Sequence, residues 1–137
     1  MIFLDTNVLI DVFVRDQAWQ EWSRMQIGTR GGADGFGVNA VVVAELASNF
    51  PDLDALYASL WTIDARVLPL EDDVAFAAGQ AFRQYRVRHK NRDAILSDFL
   101  IGAHALKLGA TLLTRDAAIY RTYFPELSLI TPEDDHG

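Results

Sequence analysis

The stretch Ile2-Phe3-Leu4-Asp5-Thr6-Asn7-Val8-Leu9-Ile10 changes character at its middle. Ile2-Phe3-Leu4 is a short, uninterrupted apolar run of the buried-strand kind. Asp5, Thr6 and Asn7 are all helix-capping types, and the apolar residues behind them start a helix. A strand that ends on an acid and passes straight into a helix is a building unit of α/β folds. The pattern returns in Ala110-Thr111-Leu112-Leu113-Thr114-Arg115-Asp116, a second apolar strand that also ends on an acid.

Between these two units the chain reads as alternating elements. A helix is expected over residues 16–25, with Trp19 and Trp22 on one face. Residues 28–37 hold five of the nine glycines and read as a loop. A short strand or turn near residues 38–39 leads into a helix to about residue 49. Pro51 stops that helix and Asp52 starts another through residue 61. Residues 67–70 read as a brief strand, placed at a sheet edge or strand end by Pro69. Residues 71–87 are Ala-rich and helical. Ser97 is expected to cap a helix over 98–108 that ends at Gly109, and residues 127–130 form a last strand. The alternation predicts an α/β layered fold, with a mainly parallel central sheet flanked by helices. Without repeat or linker, residues 1–137 make one domain, with 132–137 expected to fray.

Composition narrows the function. The chain of 137 residues is half hydrophobic, enough to bury a core and to exclude disorder of the body. It has no cysteine, which removes disulfides, thiolate metal sites and a cysteine nucleophile, and agrees with a reducing cytoplasm. The N-terminus lacks the basic region of a signal peptide, and no apolar run approaches the ~18 residues that span a bilayer. No membrane association is expected.

The net charge of −7 argues against a passive nucleic-acid binder. Its distribution is uneven, however. Arg83, Arg86, Arg88, His89, Lys90 and Arg92 fall within ten residues and include five of the twelve Lys and Arg. This segment reads equally as a phosphate track or as a solvated helix end whose cations suit the helix dipole.

Four acids occupy informative positions. In open α/β sheets, ligands bind beyond the carboxyl ends of the strands, where Asp5 and Asp116 both sit. Asp98 begins the helix that feeds the Asp116 strand. Glu45 interrupts the apolar run Val41-Val42-Val43-Ala44, where burying it unpaired would cost on the order of several kcal/mol. Each also has an ordinary structural role open to it: Asp5 as a cap, Glu45 and Asp98 as first-turn acids, Asp116 as the start of a turn or short helix. Gathered in one cleft, the four would repel unless protonated or bridged by a cation. An all-oxygen donor set suits Mg²⁺ or Mn²⁺, and the chemistry that needs such a set is phosphodiester hydrolysis.

Four blocks carry a family resemblance: Leu4-Asp5-Thr6-Asn7-Val8-Leu9-Ile10, Ala44-Glu45-Leu46, Ser97-Asp98-Phe99-Leu100-Ile101-Gly102-Ala103-His104-Ala105 and Leu113-Thr114-Arg115-Asp116. In order and spacing they resemble PIN-domain proteins, most of all VapC-type toxins of prokaryotic toxin–antitoxin pairs. The resemblance covers essentially the whole chain and implies a three-layer PIN fold and a Mg²⁺- or Mn²⁺-dependent endoribonuclease. It implies Asp5, Asp98 and Asp116 as metal ligands, with Glu45 completing the catalytic cluster and Thr6, Asn7 and Thr114 bracing it. It further implies an RNA substrate, a small antitoxin that blocks the cleft, and a homodimer.

His104 lies six residues after Asp98, so it points away from it on the helix and is read as structural. With no histidine base, activation of water falls to the metal. Of the aromatic residues Trp19, Trp22, Phe36, Phe50 and Trp61, most are expected in the core and some at a partner surface. Two other readings compete. Aspartyl-phosphate hydrolases also place Asp after a first strand, but their second Asp two residues on is here Asn7. A non-catalytic PIN-like domain that binds RNA or protein would keep the fold, and retained acids show capacity rather than turnover.

Overall fold

A computed structural model describes residues 1–15, 17–32, 34–88 and 94–133. The elements are β1 (Ile2–Leu4), α1 (Thr6–Phe13), α2 (Gln20–Arg30), β2 (Phe36–Val38), α3 (Ala40–Leu46), α4 (Leu53–Thr62), β3 (Ala65–Val67), α5 (Asp72–Arg88), α6 (Leu96–Lys107), β4 (Thr111–Leu113), α7 (Ala117–Tyr123) and β5 (Leu129–Ile130). A 3₁₀ turn at Ala47–Asn49 follows α3.

The five strands pair in the order β3-β2-β1-β4-β5, every pair parallel. Successive residues of a strand face opposite sides of a sheet. Phe3 and Leu4 are both fully buried, as are Leu112 and Leu113, so helices cover both faces. From β1 the chain steps outward through β2 to β3, then returns to lay β4 and β5 on the other side. That reversal places a topological switch point at the carboxyl ends of β1 and β4, the position where open α/β sheets bind ligands.

Several sequence expectations shift by a turn or two. The helix expected over 16–25 runs from Gln20 to Arg30, with Trp19 as its N-cap residue. Trp19 and Trp22 do meet, edge to face with centroids 6.3 Å apart. The region 28–37 is therefore not one loop. Gly28 lies inside α2, where a Cβ would meet nothing within 4 Å, and Gly37 lies inside β2. A lone glycine costs a helix only about 1 kcal/mol, too little to end one. The third strand ends at Val67; Leu68 still donates to Val38 O (2.8 Å), and Pro69 has no N–H to carry the ladder further.

Helix α6 starts earlier than Ser97 suggests. Its N-cap is Ile95, whose N–H donates to Asp98 Oδ2 at 2.9 Å. Its C-terminus is a Schellman motif: Gly109 N–H reaches Leu106 O and Ala110 N–H reaches Ala105 O, with Gly109 at φ +65°. Gly102 lets α6 approach α7, since a Cβ there would stand 2.6 Å from the Phe124 ring.

Phe99 anchors an aromatic cluster with Phe82, Tyr85, Tyr123 and Phe124 that joins α5, α6 and α7. Phe36 is also core, whereas Trp19 is 41% and Trp61 83% exposed. Of the expected frayed tail, Pro132 is buried and Glu133 pairs with Arg121; residues 134–137 lie outside those described. No helix among the described residues is long and apolar enough to cross a membrane.

Candidate active site

Asp5 leaves β1 as the N-cap residue of α1 and is only 5% exposed. Its Oδ1 accepts the Thr6 N–H (2.8 Å), and its Oδ2 accepts the Thr114 hydroxyl (2.7 Å) and, more weakly, the Asn7 amide (3.4 Å). Thr114, at the end of β4, also accepts the Asp116 N–H at 2.9 Å. Asn7 Oδ1 accepts the Arg115 N–H (3.2 Å), closing a network across the switch point. Short polar side chains between two strand ends thus hold Asp5 and Asp116 in register.

Glu45 corrects the burial argument made from its neighbours. The last turn of α3 is exposed at Ala44 and Glu45, with Val42 and Leu46 taking the buried face. The run is apolar, but a helix in its middle turns one face to solvent. Glu45 is nonetheless tied to the rim: Oε1 accepts the Thr6 hydroxyl (2.7 Å) and Oε2 the Ser97 hydroxyl (3.2 Å). Ser97 therefore bridges α6 to Glu45 instead of capping its own helix.

The charges feel one another. Burial pushes the Asp5 carboxyl up from 3.8 to about 6; the Thr114 hydroxyl restrains that rise and the Asp98 charge adds to it. Asp98 is also raised, first by burial and then by Asp116 and Glu45, against the Ile95 N–H. Asp116 is raised by burial, with the Ile119 N–H and Arg115 opposing. Asp116 is the N-cap residue of α7; its side chain leans toward the Ile119 N–H of the first turn without forming a capping hydrogen bond of ordinary geometry. All four acids therefore lie within electrostatic range at one rim. Among the described residues, however, no three acidic or histidine side chains stand close enough to chelate a single ion.

The PIN domain family matches residues 2–125, nearly the full length described. The chain belongs to this family. Known structures agree on the fold. FitAcB from Neisseria gonorrhoeae superposes with a TM-score of 0.70 at 23% identity, over 97% of this chain and 99% of that one. VapBC-1 from nontypeable Haemophilus influenzae gives 0.69 at 20%, over 96% and 98%. VapC20 from Mycobacterium tuberculosis, a toxin that cleaves the Sarcin-Ricin loop, gives 0.58 at 20%, over 81% and 85%. No protein of curated function matches in sequence.

In this PIN domain the donor chemistry suits a hydrated divalent cation. Every candidate ligand is a carboxylate oxygen, and two of these groups, Asp98 and Asp116, are raised chiefly by burial, with no cationic side chain among the described residues bonded to them. Among the described residues one buried polar atom also lacks a hydrogen-bond partner: the hydroxyl of Tyr120, a fully buried residue on α7. It faces the Asp5 carboxylate closely enough to lower that group's pKa, but the contact falls short of hydrogen-bond geometry. Sequence reading did not single out Tyr120. The available signal was its i, i+4 spacing from Asp116, which stacks the two on one helix face.

Two supports were also not foreseen. Arg115 reaches back to α1 and grips Asp11 through Nε (2.7 Å) and Nη2 (3.1 Å), while the Ser23 hydroxyl of α2 donates to Asp11 Oδ2 (2.7 Å). Asp11 is 1% exposed, so this pair fixes the loop between Thr114 and Asp116 onto the α1–α2 layer. Asn39 caps α3 by accepting from Val41 and Val42 with Oδ1, which leaves Nδ2 to donate to His104 Nδ1 at 3.1 Å. His104 is buried, its pKa lowered chiefly by burial, and it packs against Phe3. It joins the helix of Glu45 to that of Asp98 and lies in the interior, as its spacing suggests. Of the basic segment, Arg83, Arg86 and Arg88 are described, and Arg83 and Arg88 lie on the exposed end of α5; His89, Lys90 and Arg92 lie outside the described residues.

Proposed function

We propose that this PIN domain is a Mg²⁺- or Mn²⁺-dependent endoribonuclease that hydrolyses RNA phosphodiester bonds. The observation that carries the reading is the set of four carboxylates at the switch point, three of them with raised pKa values. Asp5, Asp98 and Asp116 would hold the ion and Glu45 would complete the acidic cluster. Thr6, Asn7 and Thr114 keep the carboxylates oriented through the hydrogen bonds described above. A divalent cation held there would supply Lewis-acid polarisation of a phosphoryl oxygen and make a bound water more acidic and a better nucleophile. The carboxylates would also limit access to the rim: an RNA phosphate approaches them only when their charge is offset.

Biologically, the reading extends to the toxin of a toxin–antitoxin pair, held by a small antitoxin, working as a homodimer in the cytoplasm. The folds of FitAcB, VapBC-1 and VapC20 support this extension. Purified protein is expected to cut single-stranded RNA with Mg²⁺ or Mn²⁺ and to stop cutting in EDTA. Asp98→Asn and Asp5→Asn should each abolish cleavage. Cutting that survives EDTA or both substitutions would sink the reading. The spacing of the acids, too wide for ready chelation among the described residues, favours one alternative, a non-catalytic PIN-like domain that binds RNA or protein. Tight RNA binding unaffected by metal, with no product, would select it.

A further inference from the structure

We propose that Tyr120 is a positioning residue for the divalent cation, its hydroxyl being the buried group that a water of the hydrated ion completes. The inference rests on the metal-dependent reading above and adds a residue to it.

The geometry begins with α7. Asp116 opens this helix at the rim, and Tyr120 follows one turn later on the same face. The Tyr120 ring is fully buried and packs against Phe124 with centroids 6.3 Å apart, which directs the hydroxyl inward rather than to solvent. There it faces Asp5, with Asp98 and Asp116 also within electrostatic range. Its contact with the Asp5 carboxylate falls short of hydrogen-bond geometry, and no other described residue partners it.

A buried hydroxyl without a partner destabilises a fold, and phenylalanine would fill the same space without that penalty. Tyrosine at this place is therefore a cost to the fold alone. The carboxylates around it already have donors of their own: Asp5 is served by Thr6 and Thr114, and Asp98 by Ile95. What the set lacks for close chelation, a hydrated ion provides, since water ligands bridge the gap between carboxylates too far apart to bind one ion directly. Such a water has protons and a lone pair to share, and a phenol can accept or donate. Outer-sphere groups of this kind commonly change metal affinity by about 10–100-fold when removed.

The test compares wild type with Tyr120→Phe. In EDTA the variant should melt higher by roughly 3–8 °C, because it loses an unsatisfied hydroxyl. Its affinity for Mn²⁺, measured by calorimetry, should fall by about tenfold or more, and Mn²⁺ should raise its melting temperature less than that of wild type. Tyr85→Phe serves as contrast: the Tyr85 hydroxyl accepts the Ala94 N–H at 3.0 Å, so its loss should lower stability and leave Mn²⁺ affinity unchanged. Unchanged Mn²⁺ affinity in Tyr120→Phe, or a lower melting point in EDTA, overturns the assignment. Failure of wild type itself to bind Mn²⁺ overturns the metal reading, and this assignment with it; that result appears in the control rather than in the variant.

Discussion

Asp5→Asn is expected to make the protein more stable while removing its proposed activity. Asp5 is 5% exposed, and burial is the largest cause of its pKa rise from 3.8 to about 6. Because the folded value lies above the unfolded one, the carboxyl's contribution to stability is full below pH 3.8. It is lost as the pH rises through about 6, where the folded chain must carry a buried charge. A separation of about two pKa units corresponds to roughly 3 kcal/mol of stability forgone at neutral pH. Asparagine removes the charge, but its amide cannot accept the Thr114 hydroxyl at Oδ2, which returns about 1 kcal/mol. The net gain at pH 7.5 is then about 2 kcal/mol, or roughly 6 °C for a chain of this length. Urea unfolding in EDTA at pH values from 4 to 7.5 measures it, and the advantage should shrink as the pH falls. A variant less stable than wild type at pH 7.5, or an advantage equally large at pH 4, would refute the reasoning.

Three further outcomes follow from packing and charge. Gly102→Ala drives a Cβ to within 2.6 Å of the Phe124 ring, and overpacking of this kind costs about 1–3 kcal/mol by urea unfolding; no loss would mean that α6 and α7 separate freely. Arg115→Ala leaves Asp11 buried and unpaired, so a loss of roughly 3–5 kcal/mol is expected, and Arg115→Ala with Asp11→Asn should recover part of it. On α5, Arg83→Gln with Arg88→Gln should weaken RNA binding. It should also flatten the slope of log K against log salt by about 0.7 for each phosphate no longer neutralised. An unchanged slope assigns both arginines to solvent.

How much of this was legible in the sequence depends on the range over which each interaction acts. The strand-to-helix turns at Asp5 and Asp116 were readable because an apolar run and a capping residue lie within a few positions of each other. The helix bounds at Gly28 and Ser97 were misread for the same local reason. A glycine suggests a break and a serine suggests a cap, but in the fold Gly28 is carried by its helix, and Ser97 is drawn to Glu45, 52 residues away in sequence. Glu45 shows the limit of reading burial from neighbours, since of the apolar residues around it in α3 only Val42 and Leu46 are buried. The Asp11–Arg115 pair spans 104 residues and has no local trace. Tyr120 was hidden differently. Its place in the helix was readable, but only the fold shows that its hydroxyl is buried beside Asp5 with no partner among the described residues.

The chemistry of the cut ends tests the central claim most directly. If water attacks the phosphorus and the 3′ oxygen leaves, the upstream fragment carries a 3′-hydroxyl and the downstream fragment a 5′-phosphate. End-labelled RNA cut in Mg²⁺ or Mn²⁺ is expected to show these ends, with cleavage persisting when the 2′-hydroxyl at the cut site is replaced by hydrogen. A 2′,3′-cyclic phosphate on the upstream fragment, or loss of cleavage on 2′-deoxy substitution, would show that the RNA's own hydroxyl is the nucleophile and would contradict it.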